Sequence, residues 1–323
     1  MVNFWKKLEK PFTVLAPMYD VTDAAFRRII TTYSKPSAVF TEFVNVDGLC
    51  HPVGREKLMP HLWFDKSEGN VVAQIWGKEP QNYERVAADL VKMGFSGIDI
   101  NMGCPEKSAE KQDACAKLIE MPERAKEIIE ATRRGAAGKI PVSVKTRIGY
   151  KSEQIEEWIG FLLALDLPAL TVHLRTRKEM STVPAHWEAM HRIVALRDEI
   201  SPQTKIIGNG DVMTVEEARE KCDETGCDGV MIGRGIFGNP WLFRDKTHTP
   251  SVEEKLGVML EHTELFWELF EGRKNFAIMK KHYKAYANGF PGAAELRAQI
   301  MEKNTPDDVR EVVEHFLKTY EGT

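Results

Sequence analysis

Residues 205–235 read KIIGNGDVMTVEEAREKCDETGCDGVMIGRG. Lys205–Ile207 and Gly229–Ile232 are short apolar runs without the alternation of a one-sided antiparallel strand, which is how buried parallel strands read. Between them Thr214 precedes VEEAREKC, and Glu217 stands three positions on, the spacing of a capping box at a helix start. The stretch is therefore a strand, a helix and a second parallel strand. A glycine pair follows each strand: Gly208-Asn209-Gly210-Asp211 after the first, Gly233-Arg234-Gly235 after the second.

Working outward, the same unit recurs. Further strand candidates are Thr13–Ala16, Ala38–Phe43, Val71–Ile75, Gly97–Ile100, Val142–Thr146 and Ala169–His173. Helix starts lie between them: Thr22-Asp23 before AAFRRIITTY, Pro80 before QNYERVAADLVKMG, and Ser152 before EQIEEWIGFLLAL. Residues 45–69, with two prolines, show no clear helix. Eight strands alternating with helices over about 245 residues predict an α/β (β/α)8 TIM barrel, which typically takes about 250. A doubly wound open sheet would carry a glycine-rich turn after its first strand, and none is there. From Ser251 onward only helical periodicity remains, with Leu256, Met259, Leu260, Thr263, Phe266 and Leu269 on one face. The expected division is a catalytic barrel over residues 1–245 and a small all-helical domain over 246–323.

Composition narrows the class. The 323 residues carry a net charge of −4 and are 43% hydrophobic and 28% charged, which excludes a disordered chain. Five cysteines without CxxC spacing exclude a disulfide scaffold and offer no metal site. No run approaches the ~18 apolar residues of a membrane span. The opening MVNFWKKLEKPFTVLAP runs into Pro-Met-Tyr-Asp rather than a cleavage site, so a cytoplasmic protein is expected.

In a barrel of this class the chemistry sits at the C-terminal ends of the strands. Asp99 and Asn101 share a strand face, and Cys104 follows in a loop bracketed by Gly103 and Pro105. A free cysteine is commonly a small buried hydrophobe; its place at a strand end marks Cys104 out. Lys145 and Arg147 end the next strand, and His173 and Arg175 the one after. Four cationic or imidazole side chains on neighbouring strand ends suit an anionic or electron-rich ligand. The two glycine pairs stand where such barrels bind phosphate, with Arg234 to add a charge-assisted bond. A flavin mononucleotide fits this pattern, its phosphate at the glycine pairs and Lys145 near the edge of the ring where negative charge gathers on reduction.

At these residues the sequence resembles the tRNA-dihydrouridine synthase family. The match runs through Ala16-Pro17-Met18 with Thr22-Asp23, Gln74, Asn101-Met102-Gly103-Cys104-Pro105, Lys145-Thr146-Arg147, and His173 with Arg175-Thr176-Arg177. It continues through Asn209-Gly210-Asp211, Gly233-Arg234 and Gly289-Phe290-Pro291-Gly292. The resemblance implies an FMN-bound barrel with a helical tRNA-binding domain, reducing the C5=C6 bond of a uridine with NADPH as reductant. It implies that Pro17, Met18 and Tyr19 line the flavin, that Gln74 bonds its pyrimidine edge, and that Lys145 and His173 hold the ring. Asn209, Gly210, Asp211, Gly233 and Arg234 would take the phosphate end. Cys104 would be the general acid that protonates C5, while Asn101, Arg147 and Arg175 would contact the substrate. A monomer acting on tRNA is expected. Two rival readings are a small-molecule flavin reductase and a non-catalytic RNA-binding barrel.

The chain departs from the family after the Cys-Pro pair. Residues 106–117 (EKSAEKQDACAK) lack the usual glycines and hold a second thiol, Cys115, at an expected helix start. In the tail, Arg273-Lys274-Asn275-Phe276 and Lys280-Lys281-His282-Tyr283-Lys284 are basic with aromatics, and are expected to meet RNA phosphates.

Overall fold

A computed structural model describes residues 3–244 and 248–320, in which the strands are β1 (Phe12–Leu15), β2 (Ala38–Phe40), β3 (Val44–Asn45), β4 (Val71–Trp76), β5 (Gly97–Met102), β6 (Val142–Arg147), β7 (Ala169–His173), β8 (Lys205–Asn209) and β9 (Gly229–Ile232). All pairings are parallel, and β1 pairs with both β2 and β9 while β2 also pairs with β4, so the sheet closes on itself. The expected TIM barrel is what forms. Helices of eight or more residues are α1 (Ala24–Tyr33), α2 (Pro80–Met93), α3 (Pro122–Ala136), α4 (Ala189–Ile200), α5 (Val215–Thr225), α6 (Val252–Phe270), α7 (Met279–Tyr286), α8 (Ala293–Ile300) and α9 (Pro306–Thr319).

The expected strand Ala38–Phe43 ends early, at Phe40, and a separate short strand, β3, follows beyond it at Val44; the two pair in turn with the two halves of β4. At the break the Thr41 hydroxyl accepts from the Gln74 N–H at 3.1 Å, standing in for a backbone carbonyl. The stretch 45–69, which shows no helix in its sequence pattern, holds four short ones: Val46–Leu49, Pro52–Leu58, Met59–Leu62 and Lys66–Glu68. Each is too short for a hydrophobic period to register. The helix expected from Ser152 starts later, as a π turn over Ile155–Ile159 running into Gly160–Leu163, because the Gln154 side chain and N–H close a turn onto Tyr150 and Ile148. Thr214 caps α5 through the Glu217 N–H, but the Glu217 carboxylate accepts from Met213 rather than completing the box.

The barrel is plugged from below. Phe4 and Trp5 insert beside Phe12 and Phe40, with the Trp5 ring 6.3 and 6.4 Å from those two. Burying a side chain of that size stabilises by about 1.5–3 kcal/mol, and it leaves the opposite, C-terminal end as the open mouth. Among the described residues a cleft of about 840 Å³ also opens at the closed end, around Pro141 and Pro168 where β6 and β7 begin.

The helical tail docks on α1. Ala24, Ala25 and Ile29 of α1 join Leu256, Met259, Phe266 and Phe270 of α6 in one apolar cluster. α6 is buried on more than the expected stripe, since Val258, His262 and Phe270 are also covered. Its Ser251 forms a complete capping box with Glu254. The division expected at residue 245/246 falls on residues 245–247, outside the described residues.

A buried ion pair ties tail to barrel: the Lys274 ammonium reaches Glu42 at 2.6 Å and Asp23 at 4.0 Å, with both carboxylates fully buried. Lys274 is thus an internal strut rather than a phosphate contact, and His282 and Tyr283 are likewise buried. Arg273, Lys281 and Lys284 remain exposed. Lys274→Ala leaves Glu42 without its main counter-charge and is expected to lower stability by about 3 kcal/mol. Urea unfolding reads this directly, and a wild-type midpoint would contradict it.

Candidate active site

The loop after β1 is set by one hydroxyl. Thr22 Oγ1 accepts from the Met18 N–H at 2.9 Å and donates back to the Met18 carbonyl, while Asp23 caps α1 through the Phe26 N–H. Burial raises the Asp23 carboxyl to about 6, although Lys274 works against it. Within this loop Met18 and Tyr19 part company. Met18 lies against the loop after β9, where a Cβ on Gly233 would meet its sulfur at 3.9 Å. Tyr19 lies against Phe43 and His61, on the side where the tail covers the barrel.

Asn101 builds the thiol loop. Its Oδ1 accepts from the N–H groups of Gly103 and Cys104, at 3.1 and 2.9 Å, and its Nδ2 donates to Gln74 at 2.9 Å. Gln74 donates in turn to Asp99 at 2.8 Å, and Ser143 donates to the other Asp99 oxygen at 2.7 Å. Burial raises Asp99 to about 6 in spite of those two donors. Arg147, expected to touch substrate, is 5% exposed and donates to three backbone carbonyls: Gly103 at 2.7 Å, Met180 at 2.8 Å and Thr176 at 3.1 Å. The side chains of Asn101 and Arg147 are therefore engaged in holding Gly103-Cys104-Pro105 at the mouth. Cys104 stays partly exposed.

Strand register brings the remaining groups round the rim. Lys145 pairs with Asn101, His173 with Arg147 and also with Asn209. Burial, then the charge of Arg147, lowers the Lys145 ammonium to about 8. Its Nζ makes no hydrogen bond or ion pair with another described residue. His173 is held neutral by burial and by Arg147, Lys145, Arg175 and Arg234 around it. Arg175 donates to His173 Nε2 at 3.1 Å, which leaves the ring proton on Nδ1. Arg175 is itself 3% exposed and also bonds the Val183 carbonyl and Asp211.

Asp211 closes the ring as the acid that pairs with two of these cations. It accepts from Arg175, Arg234 and the Ala185 N–H, and Arg175 chiefly keeps its carboxyl below the usual range. Gly210 has φ +135°, and a Cβ there would strike Ala185 at 2.7 Å, so only glycine serves. Asn209 donates to the Met231 carbonyl, joining the two glycine loops. Arg234 alone of the set projects into solvent.

The family model "Dihydrouridine synthase (Dus)" matches residues 14–321. The chain belongs to the dihydrouridine synthase family. It is 42% identical over 317 residues to a "Probable tRNA-dihydrouridine synthase" of Staphylococcus epidermidis, covering 97% of this chain and 96% of that one. It is 40% identical over 320 residues to a "Probable tRNA-dihydrouridine synthase 2" of Bacillus subtilis, covering 98% of both. Among solved structures, morphinone reductase superposes with a TM-score of 0.53 at 12% identity, over 74% of this chain and 86% of that one, a likeness of fold.

In this chain the glycine-poor loop has its own way of holding shape. Cys115, in the first turn of a 3₁₀ helix (Cys115–Glu120), has φ +55° and is buried, a backbone state a side chain resists. The neighbouring Ala116 N–H donates to the Cys104 carbonyl at 3.2 Å. The Cys115 thiol is the main cause of a Cys104 thiol lowered to about 7, against burial and with help from the Glu106 N–H and Arg147. Further along, Glu110 pairs with Arg177, whose guanidinium lies 5.6 Å from the Tyr150 ring. Spacing alone reveals neither pair; the non-glycine residues at a glycine-rich position were the only signal.

Removing that thiol tests the arrangement. Cys115→Ala is expected to raise the pH of half-maximal Cys104 alkylation by iodoacetamide from about 7 toward the ordinary cysteine value of about 8.5. Cys115→Ser, which keeps a donor, should shift it less. An unchanged midpoint in both would mean the two sulfurs do not interact.

Proposed function

We propose that the protein reduces the C5=C6 bond of a uridine in tRNA to dihydrouridine, with FMN as cofactor and NADPH as reductant. One observation carries this reading: the Cys104 thiol stands partly exposed at a mouth whose other rim is an arginine-bearing glycine cradle.

The donor set fits FMN. Lys145 is half-buried with no hydrogen-bond or ion-pair partner among the described residues, as a residue would be that awaits an electron-rich acceptor. Gly210, Gly233 and Arg234 form the kind of cradle that receives a phosphate, and Arg234 needs only to exchange Asp211 for it. Pro17, Met18, Gln74, Lys145 and His173 would hold the ring; Asn209, Gly210, Asp211, Gly233 and Arg234 would hold the tail. When bound, FMN supplies the hydride delivered to uracil C6.

The rest belongs to the chain. Cys104 Sγ–H gives its proton to C5, and the thiolate left behind is stabilised by Cys115, by the Glu106 N–H and by Arg147. Asn101 and Arg147 act as positioning residues through the loop they fix; Arg175 orients His173 and Asp211. The uridine must leave its stack to reach this mouth, at a cost of a few kcal/mol, which binding of the rest of the tRNA by residues 246–323 offsets. Arg273, Lys281 and Lys284 present the exposed charge for that contact. The protein acts as a single chain in the cytoplasm; among the described residues no helix is long and apolar enough to cross a membrane.

Cys104→Ala should stay yellow and still oxidise NADPH, while dihydrouridine formation falls about 10²–10⁴-fold, the usual loss for a missing general acid. Tritium-free mass mapping of tRNA digests measures it, and wild-type yields would refute the acid. Arg234→Ala should lose FMN on gel filtration; retention of a full complement would refute the phosphate cradle.

A further inference from the structure

Tyr19 stands apart from the site just described. Five large apolar side chains among the described residues are more than a third exposed, and Tyr19, at 49%, is the one aromatic. The ring is nevertheless fixed. It stacks on the His61 imidazole, centroids 5.4 Å apart and planes 18° apart, and Phe43 supports it at 5.6 Å. His61 is held by Glu42 at 3.0 Å, and Glu42 is anchored in turn by Lys274 and by the Asp20 N–H at 2.8 Å. A buried charge cluster thus presents a rigid aromatic face to solvent.

Beside that face lies a cleft of about 410 Å³, walled by Tyr19, Asp20 and His61 of the barrel and by Lys274, Ile278 and Lys281 of the tail. Tyr19 and Phe43 both follow the C-terminal ends of their strands, so the cleft opens on the same face as Cys104. Two of its polar groups, Lys281 and Asp20, are paired only loosely with each other. Lys281 is half-exposed, its Nζ 3.6 Å from the Asp20 carboxylate, and can turn to a phosphate. Asp20 is an acceptor that can take an exocyclic amino group. Lys274 is occupied by Glu42.

We infer that this cleft is a nucleobase subsite, which takes an amino-bearing base of the tRNA other than the uridine being reduced, stacked on Tyr19 with a backbone phosphate on Lys281. The inference rests on the tRNA reading above and reassigns Tyr19, which the family resemblance places against the flavin. The physical reason is simple. Drawing one uridine out of its stack strips a face from its neighbours, and an exposed, braced aromatic ring replaces that face. Base–aromatic stacking is worth about 5- to 150-fold in affinity.

The test uses the FMN-loaded protein with an unmodified tRNA transcript, comparing wild type, Tyr19→Ala and Tyr19→Phe. Three quantities are read: the Kd for tRNA by filter binding, the KM for tRNA in dihydrouridine formation, and FMN per chain by absorbance. Tyr19→Ala is expected to raise Kd and KM about tenfold with FMN per chain unchanged, and Tyr19→Phe to restore both to within about twofold. Unchanged Kd and KM in Tyr19→Ala overturn the subsite. Loss of FMN in Tyr19→Ala also overturns it and returns the ring to the flavin. Wild-type protein that binds tRNA without forming dihydrouridine refutes the enzymatic reading instead, and the Kd comparison still decides the subsite; absence of tRNA binding refutes both.

Discussion

Closing eight parallel strands forces their C-terminal ends into one rim, and in this chain that rim carries more positive charge than the protein itself neutralises. Lys145, Arg147, Arg175 and Arg234 crowd around His173, with Asp211 as the acid shared by two of the arginines. Burial and the repulsion of like charges crowded into the mouth act together on two groups there: His173 stays neutral and the Lys145 ammonium is weakened. Such a rim is stabilised by an acceptor-rich, anionic ligand. The arginines that look most like ligand contacts are also the ones that hold the loops in place, so positioning and electrostatics are carried by the same side chains.

The thiol depends on that frame. Cys104 has no rigid element of its own; its loop is fixed by Asn101 from within β5, by Arg147 from β6 through the Gly103 carbonyl, and by Cys115 from the far end of the loop. A family glycine stretch would leave this segment free to move. Here a buried cysteine in a left-handed backbone state and the Glu110–Arg177 pair replace that freedom with contacts. The tail is tied in by the same kind of device, since Glu42 links Lys274, His61 and the Asp20 N–H in one buried cluster.

Much of this was legible in sequence because it is periodic or local. Most of the strand runs, the helix starts at Asp23, Pro80 and Thr214, and the polar strand ends follow from spacing along the chain and recur in the fold. The short helices of 45–69 escaped because each spans two turns at most. What sequence could not show is which polar group engages which. Lys274 reads as part of a basic surface run, yet its partner lies 232 positions away. Asn101 and Arg147 read as ligand contacts because their strand positions point into the mouth; only the fold reveals the N–H groups and carbonyls that claim them. Tyr19 and Met18 are neighbours in sequence and part in space for the same reason.

The account turns on Cys104 acting as an acid, and the pH dependence of a single turnover addresses that most directly. With protein reduced beforehand and tRNA in excess, the rate of dihydrouridine formation should be level at low pH and fall about tenfold per unit above the pH at which Cys104 becomes alkylated in the same complex. A rate that rises as the thiol ionises, or that ignores its ionisation altogether, would contradict proton donation from that sulfur.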